Sequence, residues 1–284
     1  MAVHKRRNAG AGTAEKRKGQ GRPIFLTIFA YVMIVVIIEV ILLSLSIAMT
    51  NVSGRLNQNA KDILTMQVDN RVSYLEDLMQ RAQHLNDLSE HIDGTLQQML
   101  VDGTVTLDGL NASGTESDAL LVAIAPELVS TMRSKSVTGI FVVLNTLDLH
   151  NREVGSGLPG IYLRDLDPDA RPSENNSDLF IERGSASVVK KLGITTDKSW
   201  QPVLRYQGLQ GNGFFKTPFQ EAYEDKARLD DDDYGRWTTS VYKMVEDDRT
   251  AMAYSQPLIL PDGTVYGVVG VEILTSYLQE KLPY

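Results

Sequence analysis

The sequence contains no cysteine among its 284 residues. This absence excludes disulfide bonds, thiolate metal sites and a cysteine nucleophile. Histidine is also scarce, and its four positions do not form the His-Glu-x-x-His pattern of zinc hydrolases. The motif Gly155–Gly160 matches a dinucleotide-binding pattern only formally, because it contains a proline and is followed by a short strand. We therefore predict neither a cofactor nor a metal site.

Long apolar runs are absent except for one, Ile24–Met49. As a helix, its 26 residues span about 39 Å at about 1.5 Å per residue, more than a hydrocarbon core of about 30 Å. The preceding residues carry seven basic side chains and one acidic side chain. The positive-inside rule then places the N-terminus in the cytoplasm and residues 50–284 outside the cell. We predict a single-pass plasma-membrane protein, 24–49 being the transmembrane helix.

Two questions about this run stay open. A cleaved signal peptide is the alternative to an anchor, although its apolar region is normally about 7–15 residues long and Ser46-Ile47-Ala48 matches a cleavage site only weakly. Within the run, Glu39 is either a proton- or partner-linked group between packed helices or a protonated acid that a long helix tolerates.

The net charge narrows the class of partner. The chain carries −8, so the residues after the leader carry −14 once the leader's +6 is taken away. An acidic outer part argues against nucleic acid and against docking on anionic lipid. Because animal secreted domains usually carry disulfides, the cysteine-free composition favours a bacterial envelope protein.

The flanks of the run are predicted to be a disordered basic tail at residues 1–23 and a long extracytoplasmic helix at residues 50–100. Glycine and proline are absent between Arg55 and Asp93, and apolar residues recur at three- and four-residue steps. Gly94 is expected to end or kink this helix. Its apolar stripe predicts packing on the outer domain or a parallel homodimer through the helix.

Residues 101–284 form the predicted outer domain. Helices are expected at Glu116–Met132, Ser185–Leu192 (closed by Gly193) and Phe219–Leu229, and strands at Val137–Leu144, Gly160–Leu163, Arg236–Val245, Thr250–Ile259 and Thr264–Ile273. The Pro261-Asp262-Gly263 turn joins the last two strands, which must therefore be antiparallel neighbours. The predicted fold class is α+β: a transmembrane helix, a stalk helix and an antiparallel sheet with flanking helices.

The last 50 residues resemble a known family. Trp237 and Tyr242, then Tyr254–Leu258, the Asp262-Gly263 turn and Gly267–Ile273 follow one another as do the strands in the C-terminal half of Cache (PDC, PAS-like) extracytoplasmic sensor domains. The segment Gly213–Pro218 is similar to the aromatic segment that the family places on its pocket lid.

This resemblance implies a non-enzymatic, ligand-sensing module of a bacterial transmembrane receptor, of the kind that precedes kinase, cyclase or chemotaxis output modules. Residues 277–283 are similar to the junction between the two halves of double-Cache receptors, so the chain is expected to be a fragment of a longer receptor or a truncated reading frame. The ligand is expected to be an amine or another small polar metabolite.

The resemblance also selects candidate ligand contacts. Glu272 stands where many family members carry a carboxylate that pairs with a ligand ammonium group; alternatively it points outward from the strand. The aromatic residues are candidate pocket walls, although each could equally be part of the sheet core: Trp237, Tyr242, Tyr254, Phe214 and Phe215.

The chain departs from the family at one position. Amino-acid-binding relatives carry an arginine two residues before the lid aromatic, where this chain has Asn212. Asparagine cannot form a bidentate charge pair, which argues against an α-amino acid ligand. Arg236 could substitute for that arginine, or it could be a surface charge. The alternative functions are a protein-interaction module of the envelope and, with no motif in its favour, an envelope hydrolase.

Overall fold

A computed structural model describes residues 24–49, 52–173, 175–208, 213–226 and 234–282. The chain divides into two compact units, Met1–Asp69 and Asn70–Tyr284. The predicted tail at residues 1–23 and the departure at Asn212 lie outside the described residues.

The first helix, α1, covers Ile24–Met49, as predicted. It is long and apolar enough to cross a membrane, and its side chains from Ile28 to Met49 are all exposed. The second helix, α2, covers Val52–Gln83. Exposed apolar side chains occur along its first part, including Leu56 and Leu64, which are 63% and 61% exposed.

The predicted long helix at residues 50–100 is interrupted, which corrects the prediction. Helix α2 ends at Gln83, and α3 covers Asn86–Val101. The break is stabilised by the side chain of Leu85, which is fully buried in the core, while its backbone N–H donates to the Gln83 carbonyl at 3.0 Å. The predicted helix end at Gly94 is wrong, because Gly94 lies within α3; the alternative, a kink at Gly94, stays a prediction.

The outer unit is built on a sheet whose strand order is β5-β4-β3-β1-β10-β9-β7, with β8 also paired to β9. The bounds of these strands are β1 Gly139–Leu144, β3 Gly160–Asp165, β4 Leu179–Arg183, β5 Thr195–Gln201, β7 Arg236–Trp237, β8 Tyr242–Lys243, β9 Thr250–Ile259 and β10 Val265–Leu274. Two short strands, β2 Gly157–Leu158 and β6 Leu204–Arg205, pair separately. All of these pairings are antiparallel except that of β4 with β5.

The two faces of the sheet are covered by different helices, α3 and α4 (Thr115–Lys135) on one side and α6 (Gly213–Asp225) on the other. Strand β1 shows the alternation expected of a strand buried on both faces. Ile140 and Val142 join the core under α3 and α4, whereas Phe141 and Val143 join the core under α6.

Two local predictions are confirmed by their caps and turns. Helix α5, Ala186–Leu192, begins where the Ser185 side chain accepts from the Val188 N–H, and it ends at Gly193, which has a positive φ of 63°. The β9–β10 turn closes at Gly263, with φ of 85°.

Helix α6 differs from the prediction because it begins at Gly213, not at Phe219, and ends at Asp225; the predicted end at Leu229 lies outside the described residues. Pro218 lies inside it and has no N–H to donate to the Phe214 carbonyl one turn earlier. That carbonyl accepts instead from the Ser255 hydroxyl of β9 at 2.5 Å. The bond to the sheet therefore helps α6 to accommodate a proline.

The predicted strand Arg236–Val245 is also corrected. It consists of two short strands, β7 and β8, separated by the segment 238–241. Both strands pair with β9, so the polypeptide leaves the sheet edge and returns to it.

Candidate functional site

A cleft of about 540 Å³, here called the α6 cleft, lies between the first half of α6 and the β7–β8 segment. Most of the residues that line it are polar, although its surface is about equally polar and apolar. Hydroxyl groups and charged side chains border it at Thr217, Thr238, Thr239, Ser240, Ser255, Lys216, Lys243, Arg236 and Glu221.

One wall of the α6 cleft is aromatic. The rings of Phe214 and Tyr242 stack with their centroids 4.7 Å apart and an interplanar angle of 24°. Behind them, Phe141 meets Phe214 edge-to-face at 5.0 Å. Phe214 is buried and Tyr242 is half-buried, so this pair separates the cleft from the core under α6.

Another part of the cleft wall carries an ion pair between Arg236 of β7 and Glu221 of α6. Both side chains are about two-fifths exposed, at 41% and 40%. The guanidinium and the carboxylate thus join the helix to the sheet edge at a surface that solutes can reach.

The hydroxyl group of Tyr242 points away from the cleft, into a set of buried polar groups. It lies 2.6 Å from the Tyr162 hydroxyl and 3.2 Å from Glu272 Oε2. Tyr162 also donates to the same carboxylate oxygen. Burial raises the pKa of both tyrosines well above the usual value, and the Glu272 carboxylate adds to the rise. Tyr242 is therefore a structural link between the cleft and these buried groups.

The buried groups centre on Arg164, and we call them the Arg164 cluster. Arg164 holds Glu272 in a bidentate pair, Nε to Oε1 at 2.8 Å and Nη2 to Oε2 at 2.9 Å. Its Nη1 contacts Glu182 Oε2 at 2.9 Å and donates to Asp247. All four side chains are at most 1% exposed.

A glycine makes room for this ion pair. Arg164 on β3 and Glu272 on β10 are both register partners of Gly139, which lies between them on β1. A side chain at Gly139 would press on Glu272, whose Cβ and Oε1 would lie 3.1 Å from the added carbon. The two long side chains meet across the only residue type that has no Cβ.

The Arg164 cluster has more acids than bases. Around Arg164, Arg183 approaches Glu182 at 3.6 Å, and Arg249 pairs with both Asp247 at 2.8 Å and Asp197 at 2.9 Å. The charged members of the cluster are Arg164, Arg183, Arg249, Glu182, Asp197, Asp247 and Glu272. Burial raises the pKa of Glu182 to about 7, against the lowering effect of Arg164. A neutral Glu182 would balance the three positive and three remaining negative charges.

The structure separates the candidate ligand contacts into residues that border the α6 cleft, one residue buried behind it, and residues packed in the core. Phe214, Tyr242 and Arg236 border the α6 cleft, and Glu272 lies behind it in the Arg164 cluster. The outward position considered for Glu272 is not observed, since its side chain is fully buried. Phe215 packs in the core against Phe219, 5.5 Å away, and does not border the cleft.

The remaining two candidates are cross-strand partners. Trp237 pairs with Tyr254, with ring centroids 5.7 Å apart, and both pack against the core under α3 and α4. Trp237 also borders the α6 cleft, whereas Tyr254 does not. Strand alternation explains why Tyr254 does not border the cleft although its neighbour Ser255 does, because the two side chains point to opposite faces of the sheet.

The sequence reasoning missed three important residues, Tyr162, Arg164 and Asp247. The predicted strand at 160–163 ended just before Arg164. A usable signal was present: Glu272 is the one charged residue of the apolar strand β10, and a buried carboxylate needs an opposite charge. Among the described residues, no group of three or more histidine, aspartate or glutamate side chains could hold a metal ion.

Comparisons with known proteins give no family assignment. No protein-family model matches the chain, and no curated protein sequence matches it. Among solved structures, it is similar to the extracellular domain of soHK1S-Z6, a protein classed as a histidine kinase, at a TM-score of 0.29 and 14% identity over 77% of this chain. It is also similar to the ligand-binding domain of the Campylobacter jejuni chemoreceptor Tlp3 in complex with L-norvaline, at a TM-score of 0.30 and 12% identity over 77% of this chain.

This chain covers 66% and 63% of those two chains. At such TM-scores, the likeness assigns neither a family nor a ligand to this protein.

Proposed function

We propose that this chain is the ligand-sensing part of a bacterial membrane receptor, anchored by α1 with its N-terminus in the cytoplasm. The length and apolarity of α1 and the basic leader support this topology. The resemblance of the last strands to Cache sensor domains supports the sensory role.

The α6 cleft is the proposed ligand site, and its composition is the observation that carries the proposal. Its volume of about 540 Å³ falls within the range of about 300–1,000 Å³ typical of small-molecule sites. Hydroxyl groups, the Arg236–Glu221 pair and the Phe214–Tyr242 wall provide hydrogen bonds, both signs of charge and an aromatic surface. This combination suits an amine or another small polar metabolite.

Within this proposal, Tyr242 contacts the ligand and Glu272 acts behind it. Four donor groups of the chain already surround the Glu272 carboxylate: Arg164 Nε faces Oε1, and Arg164 Nη2, Tyr162 and Tyr242 face Oε2. A ligand that moves the Tyr242 ring would therefore disturb Glu272 on β10 without touching it. Such a shift requires a ligand that prefers one of the two arrangements.

The output is proposed to be a movement of helices. Strand β10 leads directly into α7, Thr275–Lys281, and the Tyr277 hydroxyl of α7 lies 3.3 Å from that of Tyr74 in α2. Tyr277 also donates to Asp169 at 3.0 Å. These contacts offer a path from the central strand to a helix that could signal to an output module.

A homodimer through α2 is part of the proposal. Its first part exposes Leu56, Ile63, Leu64 and Val68 to water in the single chain. Exposed apolar stripes on helices commonly mark contacts with other proteins. A second copy of the chain would cover this stripe and provide the partner against which a helix movement can be read.

One observation favours the alternative, a protein-interaction module without a small ligand. The space in front of Glu272 is filled by the chain's own Phe214, Tyr242 and Tyr162, and Arg164 provides the cation. Under this alternative, the outer unit binds another protein and the α6 cleft stays empty.

A thermal-shift screen separates these possibilities. The full chain in detergent is heated with amines, amino acids and carboxylates, and a ligand is expected to raise the melting temperature in a concentration-dependent way. The variant Ser240→Trp places a large side chain at the exposed edge of the cleft. It should lose the shift while keeping the melting temperature of the free protein.

The matched control is Ser130→Trp, at an exposed position on α4 outside the cleft lining. It should retain the ligand-induced shift. Retention of the shift in Ser240→Trp would refute the α6 cleft as the site. The absence of any shift, together with specific capture of a protein partner, would favour the interaction module.

A further inference from the structure

Helix α1 carries one carboxyl group near the middle of its apolar length. Glu39 lies eleven residues after Ile28 and ten before Met49, the ends of the candidate membrane span. It is the only Asp, Glu, Lys or Arg residue of α1. A charged carboxylate at the centre of a bilayer is costly unless it is paired, so Glu39 calls for a polar partner.

Two other polar groups share the side of α1 that carries Glu39. Tyr31 precedes it by eight residues and Ser46 follows it by seven, which are about two helical turns in either direction. Val35 and Leu42, at four and three residues from Glu39, lie between them on the same side. We call this side the Glu39 face.

We propose that the Glu39 face is the contact between the α1 helices of two copies of this chain within the membrane. The proposal rests on the membrane anchor and the homodimer of the proposed function, and on no assumption about a ligand. It adds the residues and the chemistry by which the two membrane helices recognise each other.

The chemistry of the face favours a second copy over another partner. In a parallel two-fold contact, each residue lies opposite or close to its own counterpart. A neutral carboxylic acid and a hydroxyl group both donate and accept hydrogen bonds, so Glu39 and Tyr31 can each pair with their own copies. Hydrogen bonds of this kind hold helices together in lipid, where water cannot replace them.

A second observation in the same compact unit points to the same partner. The exposed apolar side chains of Leu56 and Leu64 on α2 also lack a cover in the single chain. One additional copy would cover both the apolar stripe in water and the polar face in lipid.

The absence of cysteine makes a direct test possible. Single cysteines are introduced into the full chain at Val35 and Leu42 on the Glu39 face, and at Ile37 and Ile41, two residues to either side of Glu39 on the opposite side of the helix. Membranes are then treated with copper phenanthroline, and disulfide-linked dimers are measured on non-reducing gels. We expect the cross-linked fraction to be several-fold higher at Val35 and Leu42.

Substitution of Glu39 then tests its role. Glu39→Leu, made in the Leu42→Cys background, should lower cross-linking several-fold, whereas Glu39→Gln should retain it because the amide still donates and accepts. Leucine is more apolar than glutamate, so a loss of membrane insertion would not explain the result; immunoblotting of the membrane fraction checks this. Equal cross-linking on both sides, no cross-linking on the Glu39 face, or indifference to Glu39→Leu would overturn the inference.

The variant Leu64→Cys in α2 distinguishes failure of the proposed membrane contact from failure of the proposed homodimer. Cross-linking at Leu64 without cross-linking at Leu42 would retain the homodimer and overturn the membrane contact. Absence of cross-linking at both positions would overturn both, and a partner with a basic membrane residue would then become the leading explanation of Glu39.

Discussion

Replacing Glu272 by alanine is the substitution for which a ligand anchor and a structural residue predict opposite results. The structure predicts a loss of stability, because Arg164 would lose both hydrogen bonds of a bidentate pair in a fully buried site. A ligand anchor, in contrast, could be removed with little effect on the free protein.

The magnitude follows from the geometry. Breaking a buried ion pair by removing one partner typically costs about 3–5 kcal/mol. Glu182 and Asp247 remain within reach of Arg164, so we expect the lower end, about 3 kcal/mol. For a domain of about 150–250 residues, this corresponds to a fall in melting temperature of about 6–12 °C.

Intrinsic tryptophan fluorescence of the full chain in detergent provides the assay. Both tryptophans, Trp200 and Trp237, belong to the second compact unit, so the signal reports that unit. Glu280→Ala, at an exposed position on α7, is the matched control and should leave the melting temperature nearly unchanged.

If Glu272→Ala melts no lower than Glu280→Ala but loses ligand binding, the structural role fails and the original prediction of a direct ligand contact gains support. In a double-mutant cycle, Arg164→Met should cost much less in the Glu272→Ala background than in the wild type, because the two residues interact.

Two further predictions concern pH and packing. Burial raises the pKa of Glu182 to about 7 and that of Asp93 to about 6, so the folded state binds more protons than the unfolded state below these values. Stability should therefore rise as the pH falls from about 7 to about 5. A melting temperature that does not change with pH, or a pH profile that is unchanged in Glu182→Gln, would contradict this prediction. Gly270→Ala should destabilise by about 1–3 kcal/mol, because the new methyl group would collide with the Phe141 ring. Gly94→Ala should instead stabilise the protein by about 0.5–1 kcal/mol, because Gly94 lies inside α3 and an added Cβ there would have no other atom within 4 Å. Urea titrations measure both changes, and equal effects of the two substitutions would refute the packing at Gly270.

The elements that could be predicted from the sequence are those specified by nearby residues. The apolar length of α1, the Ser185 and Gly193 caps of α5, and the turn at Gly263 are all local signals, and their elements were found within one residue. Each depends on hydrogen bonds or backbone angles formed within a few positions of the chain.

The elements that were misplaced depend on distant residues. The break before α3 follows from burial of Leu85, and α6 accommodates Pro218 with the help of Ser255 of β9, which donates to the Phe214 carbonyl. Leu85 is buried in a core built largely from residues distant in sequence, and Ser255 lies 41 positions after Phe214, so a local sequence signal specifies neither feature.

At the candidate site, too, contacts between residues that are distant in sequence were not predicted. Phe214, Tyr242, Arg236 and Trp237, which were predicted as ligand contacts, border one cleft, and their contact with a ligand stays a prediction. The cation that meets Glu272 was missed because Arg164 lies 108 positions away along the chain. The strand order β3-β1-β10 brings the two together on either side of Gly139.

The central claim is that the α6 cleft faces the exterior on a chain anchored by α1. In the cysteine-free background, Ser240→Cys is labelled in intact cells with a membrane-impermeant maleimide, and Ala14→Cys in the basic leader serves as the reciprocal probe. We expect Ser240→Cys to react equally in intact and permeabilised cells, whereas Ala14→Cys should react only after permeabilisation. The reverse pattern would contradict the central claim.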